Sequence, residues 1–194
     1  MAKGEASRQR IIAAAADQAS VRGLSGVSLQ DVAEAVGLSK SGVFKHFDSK
    51  EALQAAVVES VLTRFVDQVW RPAQDLPPGA PRLRLIMERW LDWSDGGASG
   101  GCPITPFVVE LDDQPGPLLD NLRWQQSLWG KTLRNEFRAL RAPPVDKAVA
   151  AQAAFEMLSL TLGYHHRHRL LRDAEARAMT VRAAEALIER TAAA

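Results

Sequence analysis

Residues 28–50, SLQDVAEAVGLSKSGVFKHFDSK, decide how the whole chain is read. Leu29, Val32, Ala33 and Val36 recur at the i, i+3, i+4, i+7 spacing of one buried helical face. Ser28 stands where an N-cap belongs, with Asp31 three residues on. Gly37 follows as a left-handed stop, Leu38 turns back towards the core, and Ser39 is placed to cap a second helix that carries Val43 and Phe47 inward. A turn of about four residues containing glycine, between two short helices, is the helix-turn-helix pattern, whose second helix enters the DNA major groove.

The opposite face of the second helix suits that role. Lys40, Ser41, Gly42, Lys45 and His46 fall away from Val43 and Phe47 and supply donors, positive charge and one position without a side chain. A bare backbone permits close approach to a phosphate. Asp48 and Glu51 read as a second capping box, which puts Lys50 in the first turn of the next helix, within reach of phosphate. Singly, these lysines would be solvent-face residues, His46 a solvated imidazole and Phe44 partly core. Their joint placement around two capped helices is what points to DNA.

This stretch resembles the TetR-type one-component transcriptional regulators, whose motif runs through a helix, a Gly-x-Ser turn, then Gly-x-aromatic-x-His-Phe and a lysine. Gly37, Ser39, Gly42, Phe44, His46, Phe47 and Lys50 fall at matching places. The resemblance is specific over roughly the first fifty residues; beyond them the family shares architecture more than sequence. It implies that Lys40, Ser41 and Phe44 face base edges while Gly42, Lys45, His46 and Lys50 lie against phosphates, with Ser28 and Ser39 completing the expected DNA-binding set. The family usually has tyrosine at position 44, so Phe44 forgoes a hydroxyl bond to phosphate and leaves ring contact with a thymine methyl, or packing.

Composition bounds the remainder. A chain of 194 residues with 46% hydrophobic and 24% charged residues is an ordinary globular sequence, large enough for one large or two small domains. Its formal net charge of +1 argues against sequence-blind coating of nucleic acid, so charge must be arranged on one face. Cys102 is the single cysteine, so no intrachain disulfide is possible. The apolar run after Lys3, Arg8 and Arg10 stops at Asp17, too soon for a signal peptide, and no segment is apolar enough to span a membrane. The cytoplasm is the expected compartment, with no membrane partner.

Proline and glycine clusters punctuate a series of helices. Ile11, Ile12, Ala15, Ala16 and Ala19 mark a first helix ending at Gly23, and a long helix from about residue 49 carries Leu53, Val57, Val61, Leu62, Phe65 and Val69 before Pro72. Further helices are expected over residues 82–93, 102–111, 118–140, 145–171 and 174–191, and no strand pattern intervenes. The Gly/Ser loop at residues 95–101 reads as flexible by composition. The expected fold is all-α: a helix-turn-helix DNA-binding domain at residues 1–52, joined to a larger helical effector-binding and dimerisation domain at residues 53–194.

Residues 149–162 are apolar nearly all round, which requires cover on every side, partly by a second subunit. A small-residue stripe at Ala176, Thr180, Ala183, Ala184, Leu187 and Ile188 suits close helix approach in a four-helix dimer interface, the pairing the resemblance also implies. Candidate effector-lining residues are Phe65, Met87, Trp90, Trp93, Phe107, Trp124, Leu128 and Phe155, with Glu110 and Glu156 as polar anchors, in a chain with five tryptophans. Gln152, Glu156, Ser159 and Gly163 share one polar stripe, read as facing solvent or a dimer contact because a buried glutamate without a partner is costly.

Three further chemistries find little support. His165, His166 and His168 lack a completing carboxylate or cysteine and have Arg167 and Arg169 among them, so no metal is expected. Cys102 near a helix start fits a small apolar residue better than a redox sensor. The GGASGG run at residues 96–101 follows a helix rather than a strand, no nucleophile arrangement is present, and neither catalysis nor a cofactor is expected. The sequence thus reads as a homodimeric, ligand-responsive repressor. It would be released from near-palindromic double-stranded operator DNA by a small, largely apolar effector. The rival is a helical ligand-binding or Cys-based redox-sensing protein that does not act through specific DNA binding.

Overall fold

The computed structural model describes residues 2–96 and 98–194, with the side chains of residues 2 and 3 left aside. Among these residues all regular structure is helical: α1 (Ala2–Arg22), α2 (Leu29–Val36), α3 (Lys40–Phe44), α4 (Lys50–Phe65), α5 (Ala80–Gly96), α6 (Ile104–Leu111), α7 (Pro117–Arg138), α8 (Lys147–His165) and α9 (Ala176–Ala193). Two π-helical turns, Val66–Trp70 and His166–Leu170, follow α4 and α8 directly.

The chain divides into two compact units, and the division is not sequential. The first comprises residues 1–64 and 96–122; the second comprises residues 65–95 and 123–194. The first unit therefore runs past residue 52 and takes in α6, a segment 40 or so residues further along that no local sequence pattern ties to it.

In the first unit, α1 buries Ile11, Ile12, Ala15, Ala16 and Ala19, the stripe its spacing demands, and α2 buries Val32, Ala33 and Val36. Ser28 Oγ accepts the Asp31 amide at 3.3 Å, and Gly37 ends α2 at φ 70°, the left-handed conformation a glycine adopts at least cost. Ser39 Oγ accepts the Gly42 amide at 3.1 Å and starts α3. That helix is shorter than the spacing suggests. It stops at Phe44, and the buried Phe47 lies beyond its end. The cap of α4 also shifts by one residue: Ser49 Oγ, not Asp48, accepts the Ala52 amide at 3.0 Å.

In the loop expected to be flexible, residues 99 and 100 are tied down. Asp17 accepts the Ser99 amide at 2.8 Å and its hydroxyl at 2.9 Å, and Ser20 Oγ accepts the Gly100 amide at 2.8 Å. Composition allows this segment to bend; side chains 80 or so residues earlier hold Ser99 and Gly100. Gly100 lies so close that an added Cβ would stand 1.8 Å from the Ser20 carbonyl oxygen.

In the second unit, Leu83, Ile86, Met87, Leu91, Leu133, Phe137, Ala150, Ala153, Met157, Leu187 and Ile188 form the core. α8 and α9 pack together, and Ala176, Thr180, Ala184, Leu187 and Ile188 are already buried within this single chain. The small-residue stripe expected at a dimer interface is thus largely consumed by internal packing, because small side chains admit the closest approach of the chain's own helices.

Candidate functional site

The helix-turn-helix presents a clear division of faces. Val43 is fully buried, while Lys40, Ser41, Phe44 and Lys45 are exposed and Gly42 and His46 half-buried. Ser39 Oγ also lies 2.9 Å from Ser41 Oγ, so the two hydroxyls form one polar edge at the start of α3. Phe44 is 42% exposed, an unusual position for a phenylalanine that has core available beside it. At Gly42 an added Cβ would meet only Leu38 and Ser39 atoms at 3.4 Å, ordinary contact. The fold itself does not require a glycine there.

Several basic residues near this surface are engaged within the head. Arg10 donates to the Val36 carbonyl at 2.7 Å and so closes the end of α2, Arg22 pairs with Asp31 at 2.8 Å, and the Arg8 guanidinium lies 5.0 Å from the Phe47 ring centre. Lys50 Nζ donates to the Ser25 carbonyl at 2.7 Å, so its ammonium steadies the corner between α1 and α2 as well as standing near the surface. Glu51, just after it, has its carboxyl held below the usual range, first by backbone hydrogen bonding at the helix start and then by Ser49.

Sequence reasoning placed Glu110 among effector anchors; the structure gives it a different task. Its two carboxylate oxygens accept the backbone amides of Leu24 and Ser25, each at 2.5 Å. Gln54 Nε2 donates to the Leu24 carbonyl at 2.9 Å on the same corner. Gly23, at φ 75°, permits this grip, since a Cβ there would lie 2.5 Å from Glu110 Oε2. A carboxylate holding two successive amides through charge-assisted bonds fixes a turn far more firmly than apolar contact alone. No sequence signal joins residues 85 positions apart.

The remaining effector candidates separate in the same way. Phe65, Met87, Trp90 and Trp93 are buried in the second unit. Phe107 is buried in the first. Trp124, Leu128 and Phe155 lie on the surface, at 59%, 41% and 64% exposure. Glu156 accepts from Gln152 at 3.2 Å and pairs with Arg190, so the polar stripe of α8 faces outward. The residue that sequence reasoning passed over is Trp129. Its ring stands edge-to-face with Phe65 at 5.2 Å, Trp90 at 5.5 Å and Trp70 at 6.4 Å. A signal existed, because Leu122, Trp129, Leu133 and Phe137 recur at helical spacing along the buried face of α7, and Trp124 and Leu128 fall off that face.

A second polar network links α5, α8 and α9. Tyr164 donates its hydroxyl to Asp95, Arg177 bridges Asp95 at 2.8 Å and Asp92 at 2.7 Å, and the His168 ring stacks on Tyr164 at 5.1 Å. Burial first, and then the Asp95 hydrogen bond, push the Tyr164 hydroxyl well above its ordinary value. Burial lowers the His165 value, helped by the neighbouring Arg169, His168 and His166 charges, which favours a neutral ring.

A capped helix-turn-helix with an exposed polar recognition face, in a chain with a second helical unit of aromatic core, defines a DNA-reading regulator of two-unit design. Residues 11–57 match the model of the bacterial regulatory proteins of the tetR family, and residues 79–184 match that of the tetracyclin repressor-like C-terminal domain. The chain belongs to the TetR family of transcriptional regulators.

Among curated relatives, the HTH-type transcriptional regulator RutR of Escherichia coli K12 is 34% identical over 89 residues, 43% of this chain and 42% of RutR. The HTH-type transcriptional repressor DhaR of Mycobacterium sp. GP1 is 31% identical over 103 residues, 53% of this chain and 48% of DhaR. Each match thus spans less than half of the relative's own length. A TetR transcriptional regulator from Chloroflexus aurantiacus, solved as a crystal structure, superposes with a TM-score of 0.77 at 25% identity, covering 100% of this chain and 96% of that one.

Proposed function

We propose that the protein is a homodimeric repressor that binds a near-palindromic operator and is released by a small, largely apolar effector. The observation that carries this reading is the face of α3. Lys40, Ser41, Phe44 and Lys45 point outward while Val43 anchors the helix. Gly42 adds to it, since a helix glycine costs roughly 0.5–1 kcal/mol and nothing in the fold demands one. Lys40, Ser41 and Phe44 would meet base edges, and Gly42, Lys45, His46 and Lys50 would meet phosphates, with Ser28 and Ser39 fixing the helix starts. The word repressor in the DhaR name supports the sign of regulation. An operator on chromosomal DNA puts the protein in the cytoplasm.

Dimerisation through α8 and α9 is supported by apolar side chains left exposed on this chain: Phe155 at 64%, Leu162 at 59%, Val181 at 47% and Met179 at 37%. Phe155 and Leu162, seven residues apart, share one face of α8, and exposed apolar residues of this size on one face mark an interaction surface. A two-fold axis would set the recognition helices about 34 to 36 Å apart, one DNA turn. The effector must bind the DNA-incompetent state better than the competent one, or no release follows. We assign the effector site to the buried Phe65, Met87, Trp90 and Trp93 region.

The test is a shift assay on DNA from the region upstream of the protein's own reading frame, run across salt concentrations. Specific binding is expected at moderate salt, and Lys45→Ala should weaken it on all sequences and reduce the slope of log affinity against log salt by about 1. Absence of specific binding, together with no effect of Lys45→Ala, overturns the reading.

A further inference from the structure

Three buried side-chain nitrogens among the described residues have no hydrogen-bond partner: Trp129 Nε1, Arg138 Nε and His165 Nδ1. Only the first lies inside an aromatic cluster. Trp129 is 8% exposed and is a hub, with Phe65, Trp70 and Trp90 all edge-to-face around it and Trp93 joined through Phe65 at 5.8 Å. An indole N–H is a donor only, so an acceptor must come from outside the cluster or the bond is lost.

The guanidinium against Trp70 is already engaged. Arg82 lies 5.8 Å from the Trp70 ring centre, but its guanidinium donates to the Leu76 carbonyl at 2.7 Å, the Gln74 carbonyl at 3.0 Å and Glu136 at 3.1 Å. Glu136 in turn accepts the Gly79 amide at 2.9 Å. The cluster therefore offers aromatic faces and, at Trp129, one buried indole N–H without a partner. The positive end of the indole N–H dipole disfavours a cation.

Trp70 forms the loosest edge of the cluster. Trp70 is half-buried, its 6.4 Å pairing with Trp129 is the longest of the set, and it ends the π-helical turn Val66–Trp70. π turns are short departures from regular helix and recur at functional sites.

We propose that this cluster is the effector site and that its ligand is an uncharged, flat, mostly apolar molecule with one hydrogen-bond acceptor, of the aromatic-carbonyl class, inserted between Trp70 and Trp129 with its acceptor on Trp129 Nε1. This rests on the ligand-responsive reading above and narrows it to a chemical class. The aromatic faces supply stacking area, and the indole donor discriminates, because a ligand lacking the acceptor leaves that N–H unpaired.

The experiment uses the full chain and two probes of nearly the same shape: coumarin, which carries a lactone carbonyl, and naphthalene, which carries no acceptor. Coumarin should bind more tightly and move the Trp129 indole N–H resonance in a ¹H–¹⁵N spectrum, with naphthalene leaving that resonance near its original place. Trp129→Phe should weaken coumarin about tenfold and leave naphthalene within about twofold. Equal affinities for the two probes, binding of neither, coumarin affinity unchanged in Trp129→Phe, or tighter binding of benzyltrimethylammonium would each overturn the proposal. Should Trp129→Phe not fold, the indole resonance of the unsubstituted protein decides alone. Operator binding is measured on the same preparation. DNA binding without a coumarin response sinks the ligand class and spares the regulator; a coumarin response without specific DNA binding does the reverse.

Discussion

The two units are held together in different ways. The first fixes its corners with directional polar bonds: Glu110 on the Leu24 and Ser25 amides, Asp17 on Ser99, Ser20 on Gly100, Gln54 and Lys50 on the Leu24 and Ser25 carbonyls. The second relies more on non-directional packing, with Phe65, Trp90, Trp93 and Trp129 interlocked edge-to-face; a buried ion pair, Arg82 with Glu136, holds the Leu76 to Gly79 corner, and pairs such as Arg84 with Glu185 lie on the surface. A reading surface needs atoms held to a fraction of an ångström, which hydrogen bonds to backbone secure. A ligand site needs room to repack, which aromatic edges allow.

The contrast breaks most readily at Phe65. Phe65→Ala should cost about 3–5 kcal/mol in chemical denaturation, since the ring touches three tryptophans and its loss leaves a cavity. A smaller loss than that of the polar variants below would reverse the comparison. Gly100→Ala comes next, at about 2–3 kcal/mol, because the new Cβ meets a backbone carbonyl that cannot move aside cheaply. Glu110→Gln should cost about 1–2 kcal/mol and loosen the α1–α2 corner, read as faster amide hydrogen exchange at Leu24 and Ser25. Unchanged exchange there would show that the corner stands without its carboxylate.

The second unit also carries a pH signature. Burial and neighbouring positive charge depress the His165 value below the ordinary 6.5. The unfolded chain therefore takes up the proton more readily, and the stability that depends on a neutral His165 is present above about pH 6.5 and lost as pH falls through the lower folded-state value. Melting temperatures of His165→Asn should fall less steeply below pH 6.5 than those of the unsubstituted chain; parallel curves would remove His165 from the account. Smallest of all, Arg84→Ala, which breaks an exposed pair with Glu185, should leave the melting midpoint unmoved.

Legibility in the sequence follows the same contrast. The caps of α2 and α3, the left-handed Gly37 and the buried Val43 could be read directly, because each is a contact between residues three or four apart. Glu110 could not, since its partners lie 85 and 86 positions away and a lone glutamate on a short helix carries no local mark. The capping residue of α4 was misplaced by one, as Asp48 and Ser49 both suit the position and only geometry separates them. Among the tryptophans, bulk alone favoured Trp124, whereas the helical phase of α7, with Leu133 and Phe137, singles out Trp129.

The compact unit that carries the helix-turn-helix is not a contiguous length of gene. Residues 96–122 belong to it as much as residues 1–64 do, joined by the carboxylate of Glu110 and the hydroxyl of Ser20. An engineer exchanging specificities between regulators of this build would gain little from a single cut after the recognition helix. Such a chimaera would inherit an α1–α2 corner whose two amides face a stranger's α6. A productive exchange would carry both segments, spliced at two points rather than one.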